Sequence, residues 1–192
     1  MTTAAFFTPG RIKPIRLICL HTMEDQEQPG QAVLVSKRFS DKKTSPQASF
    51  HFAVDGSNVG KKPGDKYPAP IVRLTDDSDT AWAAPGINAD GLHIEQAGIA
   101  AQSVQNWADP YSLAVLDNAA TVAAVWAKKY QIPVIHLTPA QVADGKTKGF
   151  CGHIDATKAF PDLAKQYGSH TDPGVNFPWQ YFLQLVTKKL SN

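Results

Sequence analysis

The sequence predicts an α/β fold, a single domain with a mixed central β-sheet flanked by helices. Three observations carry this expectation. The run Ile15-Arg16-Leu17-Ile18-Cys19-Leu20-His21 is apolar on both alternating faces apart from Arg16, as a strand covered on both sides must be. Strand-like runs alternate along the chain with helical ones, the pattern of a sheet sandwiched by helices. With 192 residues, of which 43% are apolar, the chain can bury one core without disulfide staples.

Taken in order, Ile15 to His21 is the first strand, and the period of two puts Cys19 and His21 on one face with His21 at its end. Gly30 to Phe39 spaces Ala32, Val33, Val35, Ser36 and Phe39 as a short amphipathic helix does. Ser49 to Val54 reads as a strand entering a turn at Asp55-Gly56-Ser57-Asn58, with Phe50 and Phe52 on one face and His51 on the other. Pro63, Gly64, Pro68 and Pro70 make Lys61 to Pro70 an ordered surface loop, and Ile71 to Leu74 a strand after it. Gly91 to Ala97 is a further strand, with His93 and Glu95 on one face and Leu92 and Ile94 on the other.

Tyr111 to Tyr130 is the longest helical pattern, rich in Ala and preceded by Asp109 as cap and Pro110 as first-turn proline. Pro133 to Leu137 is expected as the next strand, Thr138 to Gln141 as a short capped helix, and Trp179 to Leu190 as a terminal amphipathic helix.

Composition narrows the function classes. A net charge of +2 is far from a nucleic-acid footprint, so no nucleic-acid partner is expected. No run approaches the roughly 18 apolar residues of a membrane span, and Met1 to Gly10 lacks the charged and apolar regions of a signal peptide. The expectation is a chain made in the cytoplasm without a signal peptide and not inserted in a membrane. Two cysteines, Cys19 and Cys151, exclude a disulfide scaffold and leave one bridge or two free thiols open, with two buried thiols the preferred reading.

Among the six histidines, two stand together with a carboxylate. His21 ends a buried strand, His153 follows Gly152, and Asp172 precedes the turn Pro173-Gly174. Two histidines and one carboxylate make a zinc set that leaves one coordination position for water, which points to a metal-dependent hydrolase. No short HxxxH or CxxC pair exists, so the ligands have to converge from distant parts of the chain. Cys19 and Cys151 each lie two residues before a candidate ligand and are the rival donors. His136 reads as structural, His51 as structural with a secondary reading as cleft-lining, and His93 as an orienting partner rather than a ligand.

The motifs then become specific. Gly152-His153 with His170-Thr171-Asp172-Pro173-Gly174 and Phe177-Pro178-Trp179 resembles the closing motif of the type 2 N-acetylmuramoyl-L-alanine amidases. Ser49 to Ser57 resembles that family's strand and hairpin. Ala81-Trp82-Ala83-Ala84-Pro85-Gly86 resembles its Ala-Trp-His-Ala-Gly segment, and Gly91-Leu92-His93-Ile94-Glu95 its Ser-Ile-Gly-Ile-Glu strand. The order agrees from about residue 15 to residue 186 of a domain spanning 1–192, and the Phe-Cys-Gly-His-Ile-Asp and Asn-Phe-Pro-Trp wording is similar to amidase domains of mycobacteriophage endolysins.

The resemblance implies zinc (Zn2+) on His21, His153 and Asp172, with Glu95 and His170 as the catalytic pair at the reacting amide. It implies a peptidoglycan partner, glycan strand and stem peptide, cut between N-acetylmuramic acid and L-alanine by a monomeric enzyme. The setting it implies is host lysis, after holin-type release to the wall. Zinc would polarise the carbonyl and make hydroxide available near neutral pH. Glu95 would pass the proton to the leaving amine, and His170 would stabilise the oxyanion. His51, Trp82 and His93 are the expected residues of the substrate cleft.

Three departures accompany the resemblance. Ala83 stands where many relatives carry His, a contact His93 would have to supply. Phe50 replaces a Tyr, and the spacer from Ile154 to Ser169 is long, with a short helix near the cleft as one reading and surface decoration as the other. The alternatives are a peptidoglycan-binding module without hydrolysis, which would lack a ligand, and a zinc peptidase cutting another stem-peptide bond.

Overall fold

Leu17 to Thr22, the run with no polar face, is buried at every position. It sits second from one edge of a five-stranded sheet in a computed structural model that describes residues 3–191. In chain order the elements are β1 (Phe7–Thr8), β2 (Leu17–Thr22), α1 (Gln31–Ser40), β3 (Phe52–Val54), β4 (Ile71–Arg73), β5 (Thr80–Ala81) and β6 (Gly91–Gln96). They continue as α2 (Val104–Trp107), α3 (Pro110–Tyr130), α4 (Pro139–Ala143), β7 (Gly149–Gly152), α5 (His153–Ala159), α6 (Pro161–Tyr167) and α7 (Trp179–Leu190).

The sheet runs β4-β3-β6-β2-β7, and β1 and β5 form a separate pair. β4 is antiparallel to β3, and all other neighbours in the large sheet are parallel. The expected mixed α/β sandwich is therefore the architecture. Period-two alternation divides the core. Ile18, Leu20, Leu92 and Ile94 pack under α3 and α7, with Trp126 and Phe182. Leu17, Cys19 and Cys151 face α4 and α5, and Ala53 faces α1. Burying Phe182 fully contributes on the order of 1.5–3 kcal/mol, so α7 belongs to the core.

The helix signals act as the sequence predicts. Asp109 accepts the Ser112 amide and Pro110 opens α3, while Thr138 and Gln141 form a capping box on α4. Cys19 and Cys151 are register partners on β2 and β7, both buried and both free thiols.

Two strand expectations change. Pro133 to Leu137 is not a strand. Only His136 bridges to Phe150, because Pro133 has no amide hydrogen and Ile135 turns back to hydrogen-bond the Pro133 carbonyl. The edge strand is β7, whose terminal glycines hide its strand character from propensity. The strand expected from Ser49 starts at Phe52, since the His51 carbonyl accepts both the Leu74 and Thr75 amides in a bulge-like bend. That bend sends Phe50 toward α1 and Phe52 toward Trp126, so the two aromatics do not share a face.

A polar hub pins α3 to β4. Asp77 accepts hydrogen bonds from Trp126 Nε1 at 3.1 Å, Lys129 Nζ at 3.0 Å and Tyr130 Oη at 3.0 Å. Burial opposes its ionisation, but these donors and Arg73 outweigh it and hold the carboxyl below its ordinary range. A depressed folded value means the contribution is present above the unfolded value of about 3.9 and is lost as pH falls through the folded one. Asp77→Asn is accordingly expected to destabilise the fold at pH 7 by about 1.5–3 kcal/mol. Urea unfolding at pH 7 and pH 3 checks it, since the gap to wild type has to narrow in acid.

Candidate metal centre and cleft

The C-terminal ends of β2, β6 and β7 open on a cleft of about 960 Å³, the edge where parallel sheets present their functional groups. Its walls are α1 with Gln31, Leu34 and Arg38, the segment from Pro46 to Ser49, the segment from Trp82 to Gly86, and α6 with Leu163 and Tyr167. The spacer from Ile154 to Ser169 thus folds as α5 and α6, and its second helix lines the cleft.

At the floor, His21, His153 and Asp172 bring one donor atom each within 4.8 Å of one another, all three buried. His21 ends β2. His153 opens α5 directly after Gly152, where a side chain would press on Pro173 Cδ at 2.6 Å. Asp172 reaches in from the loop before α7, with Oδ2 3.1 Å from His21 Nδ1 and Oδ1 3.4 Å from His153 Nδ1. A tetrahedral zinc with bonds of about 2.0–2.2 Å needs ligand separations of roughly 3.3–3.6 Å, close to what stands here.

The electrostatics suit a cation. Burial opposes ionisation of Asp172, but hydrogen bonds from His153, His170 and His21 hold it well below the usual carboxylate range. Burial pushes His153 down to about 4, so it is neutral at pH 7 with a lone pair to give. At His21 burial also disfavours the charged form, but the Asp172 hydrogen bond and the Glu95 and Asp172 charges raise it overall. A metal bound there would displace that proton.

Glu95 is the register partner of His21 on β6 and faces the cleft, half-buried. Burial pushes its carboxyl up to about 7, with Asp172 and Glu24 adding and His21 opposing. His170 stacks on His153 with ring centroids 3.9 Å apart and stands 3.6 Å from Asp172 Oδ1, half exposed on the cleft wall. It is in neither set of mutually close donors among the described residues.

The remaining sequence candidates divide. Trp82 lines the cleft, its Nε1 donating to Thr8 Oγ1 and its amide to Ser49 Oγ. His51 and His93 do not line it, which corrects the expectation for both. His51 is fully buried at the bend before β3, where its ring meets Trp126 and His93. His93 is fully buried one turn of the pleat below Glu95, with Nδ1 3.0 Å from His21 Nε2. It cannot reach the cleft to make the contact missing at Ala83. Phe50 is buried under α1 and does not line the cleft.

His136 bonds Asp155 at 2.9 Å and stacks on Trp179, the structural part expected of it. Arg38 is a cleft residue that the sequence reading missed, signalled only by the amphipathic spacing of α1, whereas Leu163 and Tyr167 belong to the spacer helix read as near the cleft. A second close donor set, Cys19, His21 and His93, lies beneath the first.

Comparisons with known proteins bear on the fold and the family. Among solved structures, the hydrolase AmiA of Staphylococcus aureus superposes with a TM-score of 0.59 at 17% identity, over 98% of this chain and 80% of that one. The catalytic domain of XlyA gives 0.58 at 14% identity over 97% and 95%. The endolysin amidase LysCS of Clostridium intestinale gives 0.54 at 15% identity over 95% and 91%. These likenesses are of fold. No curated protein sequence matches the chain significantly. The family profile described as N-acetylmuramoyl-L-alanine amidase matches residues 11–175, most of the sequence, and the chain belongs to that family.

Proposed function

We propose that this amidase-family member is a single catalytic domain, its core spanning about residues 15–186, that cleaves peptidoglycan between N-acetylmuramic acid and the first L-alanine of the stem peptide. It does so with one zinc on His21, His153 and Asp172. The observation that carries the reading is the buried two-histidine, one-carboxylate set opening on a long cleft, with Glu95 and His170 beside it. Bound there, zinc would supply Lewis acidity toward the amide carbonyl and a hydroxide-generating centre near neutral pH.

The chain's own residues supply the rest. Glu95, with its carboxyl raised to about 7, can take a proton from the attacking water and return it to the leaving amine without a large free-energy gap. His170 stands at the exposed side of the floor and donates to the carbonyl oxygen as charge develops. Asp172 would be the third ligand, its two oxygens facing the Nδ1 atoms of both histidines across the metal position. Trp82 and the α1 face form opposite walls along which an extended substrate lies.

A phage endolysin acting in host lysis, as a monomer, fits the motif wording and the endolysin among its fold relatives. Among the described residues no helix is long and apolar enough to cross a membrane. Purified peptidoglycan digested with zinc, and with a chelator in its place, tests the reading by mass spectrometry. Stem peptides with free N-terminal alanine and intact glycan strands are expected only with zinc. Cleavage within the stem peptide would make it a peptidase, and binding without products would make it a recognition module.

A further inference from the structure

We propose that His93 is a positioning residue of the metal centre, accepting the Nε2–H of His21 and so holding His21 in the tautomer whose Nδ1 lone pair faces Asp172 and His153. The proposal rests on the zinc reading above and extends it to a residue outside the ligand set.

A neutral imidazole carries one proton. If Nδ1 of His21 gives its lone pair to a metal, the proton sits on Nε2, in a part of the sheet where His21 is almost completely buried. That proton needs an acceptor. His93 Nδ1 stands 3.0 Å from His21 Nε2. The other neighbouring groups do not compete: Gln96 donates to the His21 carbonyl, and Cys19 points its thiol at the Leu20 carbonyl.

His93 itself is held for this task. It is completely buried, its backbone amide donates to His51 Nδ1 at 3.0 Å, and its ring stacks on His51 at 5.7 Å. Its Nε2 has no partner among the described residues. Buried nitrogens without partners are rare and call for an explanation. Either tautomer leaves Nε2 unpaired; the one with its proton there is the one that leaves Nδ1 free to accept from His21. Gly91 makes the room, since a side chain there would come within 3.0 Å of His93 Nε2. Ligand histidines generally need their second nitrogen fixed in this way, and losing the partner weakens metal binding by about 10- to 100-fold.

The test compares His93→Ala with His93→Asn, because the Asn carbonyl oxygen sits close to where His Nδ1 does and can accept the same hydrogen bond. Zinc affinity is measured by competition with a chelator. The His21 Nε2–H hydrogen bond is read by 15N NMR on zinc-loaded protein, where Nδ1 is occupied. His93→Ala is expected to weaken zinc by about 10- to 100-fold and to shift and broaden the His21 Nε2–H signal. His93→Asn should recover most of the affinity and the sharp hydrogen-bonded signal.

Should the Ala variant not fold, His93→Leu against His93→Asn makes the same comparison. Wild-type affinity in the Ala or Leu variant overturns the proposal, as does an Asn variant no better than either. A thiolate charge-transfer band in the cobalt-loaded wild type that vanishes in Cys19→Ser would also overturn it, by making Cys19, His21 and His93 a ligand set. A wild-type chain that takes up no zinc sinks the metal reading and this proposal together, whereas zinc uptake indifferent to position 93 sinks this proposal alone.

Discussion

Glu95→Gln is expected to reduce turnover by about 10²- to 10⁴-fold, the usual loss of a general acid or base, while zinc content and fold stay unchanged. The substitution keeps the shape of a half-buried side chain on β6 and removes only its ability to carry a proton. The pH profile carries a second signature. A base has to be ionised, so activity in the wild type rises with pH through the Glu95 value. Burial puts that value at about 7 in the metal-free chain, and a dication beside His21 moves it lower. The acid limb should therefore lie at or below pH 7 and should vanish in the Gln variant. Rates on a defined muropeptide between pH 5 and 9, with zinc measured alongside, decide it. A zinc-replete variant at wild-type rate would rule Glu95 out and leave His170 as the next candidate on the cleft wall.

Asp172 and His170 lie two residues apart, yet their variants should behave differently. Asp172→Ala is expected to abolish zinc retention and activity together, since its two oxygens contact both ligand rings and no second carboxylate is in the set. Its loss should exceed the roughly 10- to 100-fold cost of an outer-shell change. His170→Ala should keep zinc near full occupancy and lose mainly kcat, by the equivalent of about 2.7–4 kcal/mol for one oxyanion donor. Elemental analysis of dialysed protein with steady-state kinetics separates the two. Zinc lost in parallel with activity from folded His170→Ala would make His170 a ligand and displace one of the other three.

The sequence made much of this arrangement legible, for identifiable reasons. β2 and α3 declare themselves because both faces of the strand up to Leu20 and one stripe of the helix are apolar, and β6 because Leu92 and Ile94 alternate with polar residues. The convergence of His21, His153 and Asp172 could be guessed because each sits at an element end or a turn, where a side chain is held by the backbone around it. What stayed hidden depends on tertiary partners. β7 is four residues with glycine at each end, and only its pairing with β2 makes it a strand. The bend at His51 arises from two amides of another strand competing for one carbonyl. His93 shares a face with Glu95, but a shared face does not fix depth; Glu95 stands at the rim, and His93 one residue pair deeper is sealed by His51 and the Gly91 backbone.

The pairing of Thr8 with Trp82 bears on where the smallest self-sufficient fragment ends. The family match begins at residue 11 and stops at 175, but β1 lies before it and α7 after it. Trimming at residue 11 would remove the strand that pairs with β5 and the hydroxyl that fixes the Trp82 indole, leaving a cleft wall with nothing behind it. Trimming at 175 would strip Phe182 and Val186 from the core that α3 shares with the sheet, opening apolar surface on that side to water. The conserved pattern of the family and the cooperative unit of this molecule are therefore different lengths of chain. Both flanks, though outside the matched region, have to travel with it when the domain is fused, shuffled or shortened.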